Sequence, residues 1–443
     1  MPVSAAPDGI GTRPSLRRIA GLALPALVVL AAEPIYLLVD TAVVGHLGRT
    51  PLAALAVGGA LMSVAAWLGS VIAYGTTGRA ARRYGAGQRD AAVAEGVQAS
   101  WLAVGVGLAM LLGALLFAGP LVRAIGGDNP EVTAAATGWL RIAALGLPGL
   151  MLTTAGNGWL RGVQDTRRPL RYVLVANLVS VVLCPLLVYP AGFGLAGSAI
   201  ANATAQTLGG LLFVRALVVE RVSLRPSPAT IGRQLVLGRD LLLRGLAMQA
   251  CFLSAAAVVA RFGTAALGAH QIALQLWLFC ALALDSIAIA AQSLIGAALG
   301  GSRVDEARWL ARRITGIGLV AGVAFAGFAA LALLALPTWF GADRQVYAQA
   351  LLAWPWFVAM QPLAGVVFAL DGVLIGAGDV AYLRNLTLVA ALSAFLPAVW
   401  LALVLDAGLG GVWAGLTLFI VVRLVALLLR LRNGRWAVVG AAR

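Results

Sequence analysis

Charge is scarce in this chain. Only 11% of its 443 residues are charged and 61% are hydrophobic, whereas soluble domains carry about 25% charged residues. A soluble globular fold is therefore excluded. Lysine is missing altogether: all 32 basic residues are Arg, a bias that points to codon usage rather than function. The three cysteines, Cys184, Cys251 and Cys280, all fall inside apolar runs. They have neither paired positions nor metal-ligand spacing, so they read as small packing residues, and no metal site is expected. There is no P-loop, no H-E-x-x-H and no nucleophile–base spacing. These absences exclude ATP bound by this chain and leave no catalytic residues, so the chain is not expected to be an enzyme.

What the chain does have is apolar runs of about twenty residues from end to end, the length that crosses a bilayer. Twelve spans are expected, near 19–44, 53–76, 93–117, 132–159, 172–189, 195–218, 242–260, 266–298, 309–336, 346–374, 385–405 and 409–429. The runs at 19–44 and 266–298 are long enough to be broken or strongly tilted. The first follows Arg13, Arg17 and Arg18 but is too long for a signal peptide and lacks a cleavage site.

An even number of spans puts both termini on one side. With the termini and even-to-odd loops placed in the cytoplasm, that side and its span ends hold 27 of the 32 Arg. The opposite face holds Arg49, Arg123, Arg261 and Arg344, and Arg141 lies within the fourth span. This asymmetry is a positive-inside signal. It also accounts for the net charge of +15 without a nucleic-acid partner.

The chain repeats itself at an offset of 214–215 residues. Gly48 matches Gly263, Leu52 Leu267, Gly85 Gly300 and Asp90 Asp305, while Gly158 matches Gly372, Gly162 Gly376 and Asp165 Asp379. Six spans per repeat keep both halves in the same orientation, related by an axis along the membrane normal. The expected fold is all-α and polytopic: twelve transmembrane helices in two six-helix lobes related by a pseudo-two-fold. Residues 1–219 form the first lobe, 220–240 a cytoplasmic linker with Pro226 and Pro228, and 241–443 the second lobe with a short basic tail. Two similar bundles facing each other suit a transporter that rocks about a central site.

Four carboxylates lie inside apolar stretches: Glu33, Asp40, Asp285 and Asp371. A charge at mid-bilayer costs about 2.5 kcal/mol or more, so such residues usually face a cavity or an ion pathway. Glu33 and Asp40 are seven apart and share a helix face with Tyr36 and Leu37. Desolvation disfavours the charged form of a carboxyl, which suits a proton site alternating with a cationic substrate; a buried structural acid is the other reading. Pro25 and Pro34 bend the first helix, either as static kinks or as a hinge. Asn177 and Ser180 share a face in span five, with Cys184 a turn further on, and Asn177 has a donor and an acceptor to offer Asp40. The second half adds Gln249, Gln275 and Gln292, the last on the same face as Asp285. His270 and Gln271 fall near the outer face, where a lone His is more often structural than a proton relay.

Three stretches, EPIYLLVDTAVVGHLG (33–48), AHQIALQLWLF (269–279) and LDSIAIAAQSLIGAALG (284–300), resemble the multidrug and toxic compound extrusion (MATE) family, most nearly its DNA-damage-inducible protein F (DinF) branch. The resemblance spans essentially all twelve helices. It implies a V-shaped cavity between two lobes and multidrug efflux by antiport of organic cations against H⁺ or Na⁺. It matches Asp40 to the family's cation-coupling Asp, and Asp371 to an acidic tenth-span position implicated in ion binding. Where many members carry Asn-x-x-Asn-x-x-x-Asp in span five, this chain has Asn177, Ser180 and Cys184. The span-seven acid of a sodium-coupled branch is also missing, with Ala255 nearest. Sodium wants several hard oxygen ligands, so proton coupling is expected, with no cofactor beyond the coupling ion. The expected partners are small-molecule organic cations and membrane lipid, in a bacterial inner membrane. The oligomeric state stays open, a monomer being favoured. A lipid-linked sugar flippase or a non-transporting membrane scaffold is the alternative; against the flippase stands a lack of basic residues inside the spans, where only Arg141 was a candidate.

Overall fold

The computed structural model describes residues 14–127, 129–333 and 344–441. Arg13, the end of the ninth expected span and the extreme termini lie outside the described residues. Among those described, twelve helices are long and apolar enough to cross a membrane, and there is no strand. They are α1 (Leu16–Gly45), α2 (Arg49–Gly85), α3 (Arg89–Gly126), α4 (Pro130–Gly162), α5 (Arg167–Val188), α6 (Gly194–Val219), α7 (Pro228–Phe262), α8 (Thr264–Gly300), α9 (Val304–Ala332), α10 (Arg344–Gly376), α11 (Val380–Val404) and α12 (Gly408–Arg432). Hydrocarbon offers no partner to a backbone N–H or C=O, so a spanning segment must satisfy its own and becomes helix.

The helices overrun the apolar runs because helical bonding does not stop where the hydrocarbon ends. The clearest case is the expected linker. Its second part, from Pro228 onward, is already the first turns of α7, with proline at a first-turn position where its missing N–H does no harm. The long runs at 19–44 and 266–298 are each one continuous helix. Irregular turns fall elsewhere: a 3₁₀ turn at Ala144–Gly146 ahead of Pro148, a π turn at Ala391–Phe395 ahead of Pro397, and a 3₁₀ turn at Ala260–Phe262 that closes α7 before Gly263.

The repeat in the sequence is also a repeat in the backbone. Left-handed residues recur at matching turns: Gly87 (φ 77°) and Ser302 (φ 59°), Gln164 (φ 62°) and Gly378 (φ 72°), Gly192 (φ 72°) and Asp406 (φ 51°). In each pair one half uses glycine and the other does not, which hides the match from sequence comparison.

The seam between the halves shows the same symmetry. A Cβ on Gly85 would lie 1.9 Å from the Ala297 carbonyl oxygen, and one on Gly300 would lie 2.0 Å from that of Arg82. Each contact maps onto the other under the 215-residue shift. Likewise the contact of Gly78 with the Ile375 carbonyl has its counterpart in Ser293, whose Oγ donates to the Arg161 carbonyl at 2.7 Å. A two-fold relation between the halves makes such reciprocal contacts obligatory. All lie at the end of the bundle that carries the arginine-rich loops. There, too, Arg82 donates to the carbonyls of Ala377 (2.6 Å), Val438 (3.0 Å) and Gly440 (2.9 Å). The short basic tail is folded back onto the seam, with Trp436 buried.

Gly85→Ala and Gly300→Ala are each expected to force α2 and α8 apart, at about 1–3 kcal/mol for overpacking. Thermal unfolding of the purified protein checks this. A midpoint unchanged in both variants would mean that the helices do not cross at this distance.

Candidate functional site

Residues 33, 36, 37, 40 and 41 of α1 lie on one face of the helix and line a cavity of about 520 Å³ within the first half. The other walls come from α2 (Met62, Ser63), α4 (Trp139, Thr153, Thr154, Asn157), α5 (Val173, Asn177) and α6 (Asn202, Gln206). Among the described residues, Glu33 and Asp40 are the only charged ones lining it, and no Arg or His does so.

Asp40 is 1% exposed and Glu33 is exposed. The Cys184 thiol donates to Asp40 Oδ1 at 3.2 Å, and Tyr36 and Ser198 lie beside the same carboxyl. Asn177, the expected partner, instead donates to the Val173 carbonyl of its own helix at 2.9 Å. Several buried polar atoms at or beside the cavity make no hydrogen bond among the described residues: Tyr36 Oη, Thr153 Oγ1, Asn157 Oδ1, Ser180 Oγ and Asn202 Oδ1. Buried polar atoms are normally paired, and the exceptions mark places with a further partner to take. Apolar walls, two acids and a few unpaired oxygens make a recognition surface for an amphipathic cation. Pro25 and Pro34 both sit within the continuous α1, Pro34 directly after Glu33 and so between the two carboxylates.

The second-half candidates do not join this cavity. Asp285 and Asp371 turn to the seam. Tyr74 of α2 donates to Asp285 Oδ2 at 2.6 Å. Arg244 and Arg423 both donate to Asp371 Oδ2, each at 2.5 Å. Gln292 is fully buried on α8 with neither amide atom bonded, and His270, also fully buried, bonds through neither ring nitrogen but packs edge-on to Trp413 with centroids 5.9 Å apart. Gln249 and Gln271 are exposed.

Sequence reasoning missed Arg161 and Arg423, 5% and 1% exposed within the bundle, and the largely buried Arg244. Arg141, the basic residue expected inside, is exposed. All three buried arginines had been counted with the loop-flanking positive charge, although Arg423 stands inside the twelfth apolar run and was visible there.

The MatE family profile matches residues 25–186 and 241–400, in both halves of the chain. Protein DETOXIFICATION 44, chloroplastic, of Arabidopsis thaliana is 32% identical over 452 residues, covering 96% of this chain and 84% of that protein. The DNA damage-inducible protein F of Escherichia coli K12 is 33% identical over 388 residues, covering 84% and 82%. Among solved structures, a MATE in the bent conformation superposes with a TM-score of 0.86 at 22% identity, over 95% of this chain and 94% of that one. A MOP superfamily transporter from Pyrococcus furiosus does so with a TM-score of 0.83 at 21% identity, over 95% of each.

Proposed function

The chain belongs to the MatE family and is a membrane transporter rather than an enzyme, and from that premise we propose that it exports organic cations in exchange for protons, with Asp40 as the shared site. One observation carries this reading: among the described residues, the only charges lining the first-half cavity are the carboxylates Glu33 and Asp40. A cation in that cavity gains from an ionised Asp40 about 4 kcal/mol at a separation of ~4 Å and an effective dielectric of ~20. That is roughly a thousandfold in affinity. A proton on Asp40 removes the gain, and the neutral carboxyl still finds partners in the Tyr36 and Ser198 hydroxyls beside it. Protonation from outside therefore expels the cation, and loss of the proton to the cytoplasm recruits the next. Only this difference in binding between two states is needed to drive the exchange.

One contact of Asp40 supports H⁺ over Na⁺. Its bonded partner is a thiol, a soft donor of hydrogen bonds rather than a hard oxygen ligand for a cation. In this reading residues 1–219 and 241–443 act as two lobes that rock about the seam. The arginine-rich ends and both termini face the cytoplasm of a bacterial inner membrane. The seam arginines remove one objection to a lipid-linked sugar flippase, but the cavity lining is acidic and suits no pyrophosphate.

Ethidium efflux from everted vesicles under separate gradients tests the coupling. Export is expected with ΔpH alone and not with a Na⁺ gradient alone. Export driven by Na⁺ without ΔpH would overturn proton coupling, and export under neither gradient would overturn the cation reading.

A further inference from the structure

The first-half cavity leaves one charged cluster unused. Tyr74 (α2), Arg161 (α4), Arg244 (α7), Asp285 (α8), Asp371 (α10) and Arg423 (α12) meet at the seam, two from the first half and four from the second. Their bonding is lopsided. Arg244 and Arg423 crowd onto a single oxygen of Asp371, while Oδ1 of that carboxylate has no partner. Arg161 lies beside Tyr74 and Asp285, yet its guanidinium makes no hydrogen bond or ion pair among the described residues. Nε of Arg244 and Nε of Arg423 are also unpaired.

The charges do not balance. Three guanidiniums face two carboxylates, and guanidinium does not give up its proton in proteins. A surplus positive charge away from water is unfavourable by several kcal/mol unless something compensates it. Asp240, one turn before Arg244 on α7, is already paired with Arg239 and Arg384, and the cavity carboxylates Glu33 and Asp40 serve another site. Arg244 keeps 14% of its side chain exposed, so the cluster is not sealed.

We propose that the seam is a second binding site, and that it takes a carboxylate anion held between Arg161 of the first half and the Arg244–Arg423 pair of the second. The unpaired donors are guanidinium N–H groups, whose planar fork matches the two oxygens of a carboxylate. Because the donors come from both halves, such an anion ties the halves together at the level where Tyr74 of α2 meets Asp285 of α8. This site goes beyond the cation exchange proposed above and does not depend on it.

The test uses the full-length protein in lipid nanodiscs, with succinate as the probe and chloride at matched ionic strength as the comparison. Succinate is expected to raise the thermal midpoint by a few degrees in a saturable manner, and chloride is not. Arg161→Gln is expected to abolish the shift and weaken succinate binding at least tenfold. Ethidium binding, which belongs to the other cavity, should be retained and so reports that the variant is folded. Should Arg161→Gln fail to fold, Arg161→Lys, which keeps the charge but loses the fork, is expected to lose the preference for succinate over chloride. A succinate shift that persists in Arg161→Gln, a preference for succinate over chloride that persists in Arg161→Lys, or, in the wild type, equal stabilisation by chloride or no shift at all would overturn the proposal. Failure of ethidium export alone would overturn the cation reading and leave this site standing.

Discussion

Asp40→Asn is expected to abolish ΔpH-driven ethidium export and to lower ethidium affinity about a thousandfold, the value of the lost charge pair in affinity. Asparagine is close in shape to a protonated aspartate and cannot ionise. The variant is therefore held in the state that releases substrate. Its ethidium binding should be weak at every pH, whereas in the wild type binding should strengthen as pH rises and Asp40 loses its proton. Fluorescence titration of the purified protein at pH 6 and pH 8 reads both effects, and everted vesicles read the transport. Glu33→Gln is expected to weaken binding less, since Asp40 is 1% exposed among the Cys184, Tyr36 and Ser198 side chains, while Glu33 stands more openly on the cavity wall. Full export by Asp40→Asn would sink the mechanism. If Glu33→Gln were instead the dominant lesion, the roles of the two acids would have to be exchanged.

Asp371→Ala should be the most destabilising single substitution in the second half. It strips the carboxylate from Arg423, which is 1% exposed, and from Arg244, and leaves two guanidiniums facing each other. Breaking a buried pair by removing one partner is worth about 3–5 kcal/mol of stability. The expected readout is a clearly lower unfolding midpoint in the same detergent. Replacing Arg423 by Leu in the same chain should restore part of the loss, because the stranded charge goes with it. A double-mutant cycle over Asp371 and Arg423 then measures the coupling directly. An Asp371→Ala midpoint equal to wild type would mean that this ion pair does not hold the helices. The pairing also explains why a carboxylate expected among the ion-binding candidates does not face the cavity: two arginines already occupy one of its oxygens.

The membrane setting and the duplication were legible in the sequence because both are written in patterns that repeat along the chain. Apolar runs of bilayer length predicted the helices, and matches at 214–215 residues predicted two halves. One face of α1 was also legible, since residues 33, 36, 37 and 40 fall at helical spacing and all four line the cavity. What surrounds them was not. Cys184 is 144 residues from the Asp40 carboxyl it donates to, and Arg244 is 127 residues from Asp371. No spacing rule reaches that far. Asn177 shows the limit from the other side: its position on α5 faces the cavity as expected, but its amide is taken by a backbone carbonyl one turn away.

The sequence by itself therefore determined the medium, the number of crossings and the twofold plan, because these follow from local hydrophobicity and from repetition. Only the tertiary structure decided which buried charges meet. Helix packing placed the two carboxylates of α1 together in an acidic cavity without a basic neighbour. It turned Asp285 and Asp371 to the seam, where Tyr74, Arg161, Arg244 and Arg423 arrive from four other helices. In a low-dielectric interior the partner decides what a charge can do, and the partner is chosen by packing between helices far apart in the chain.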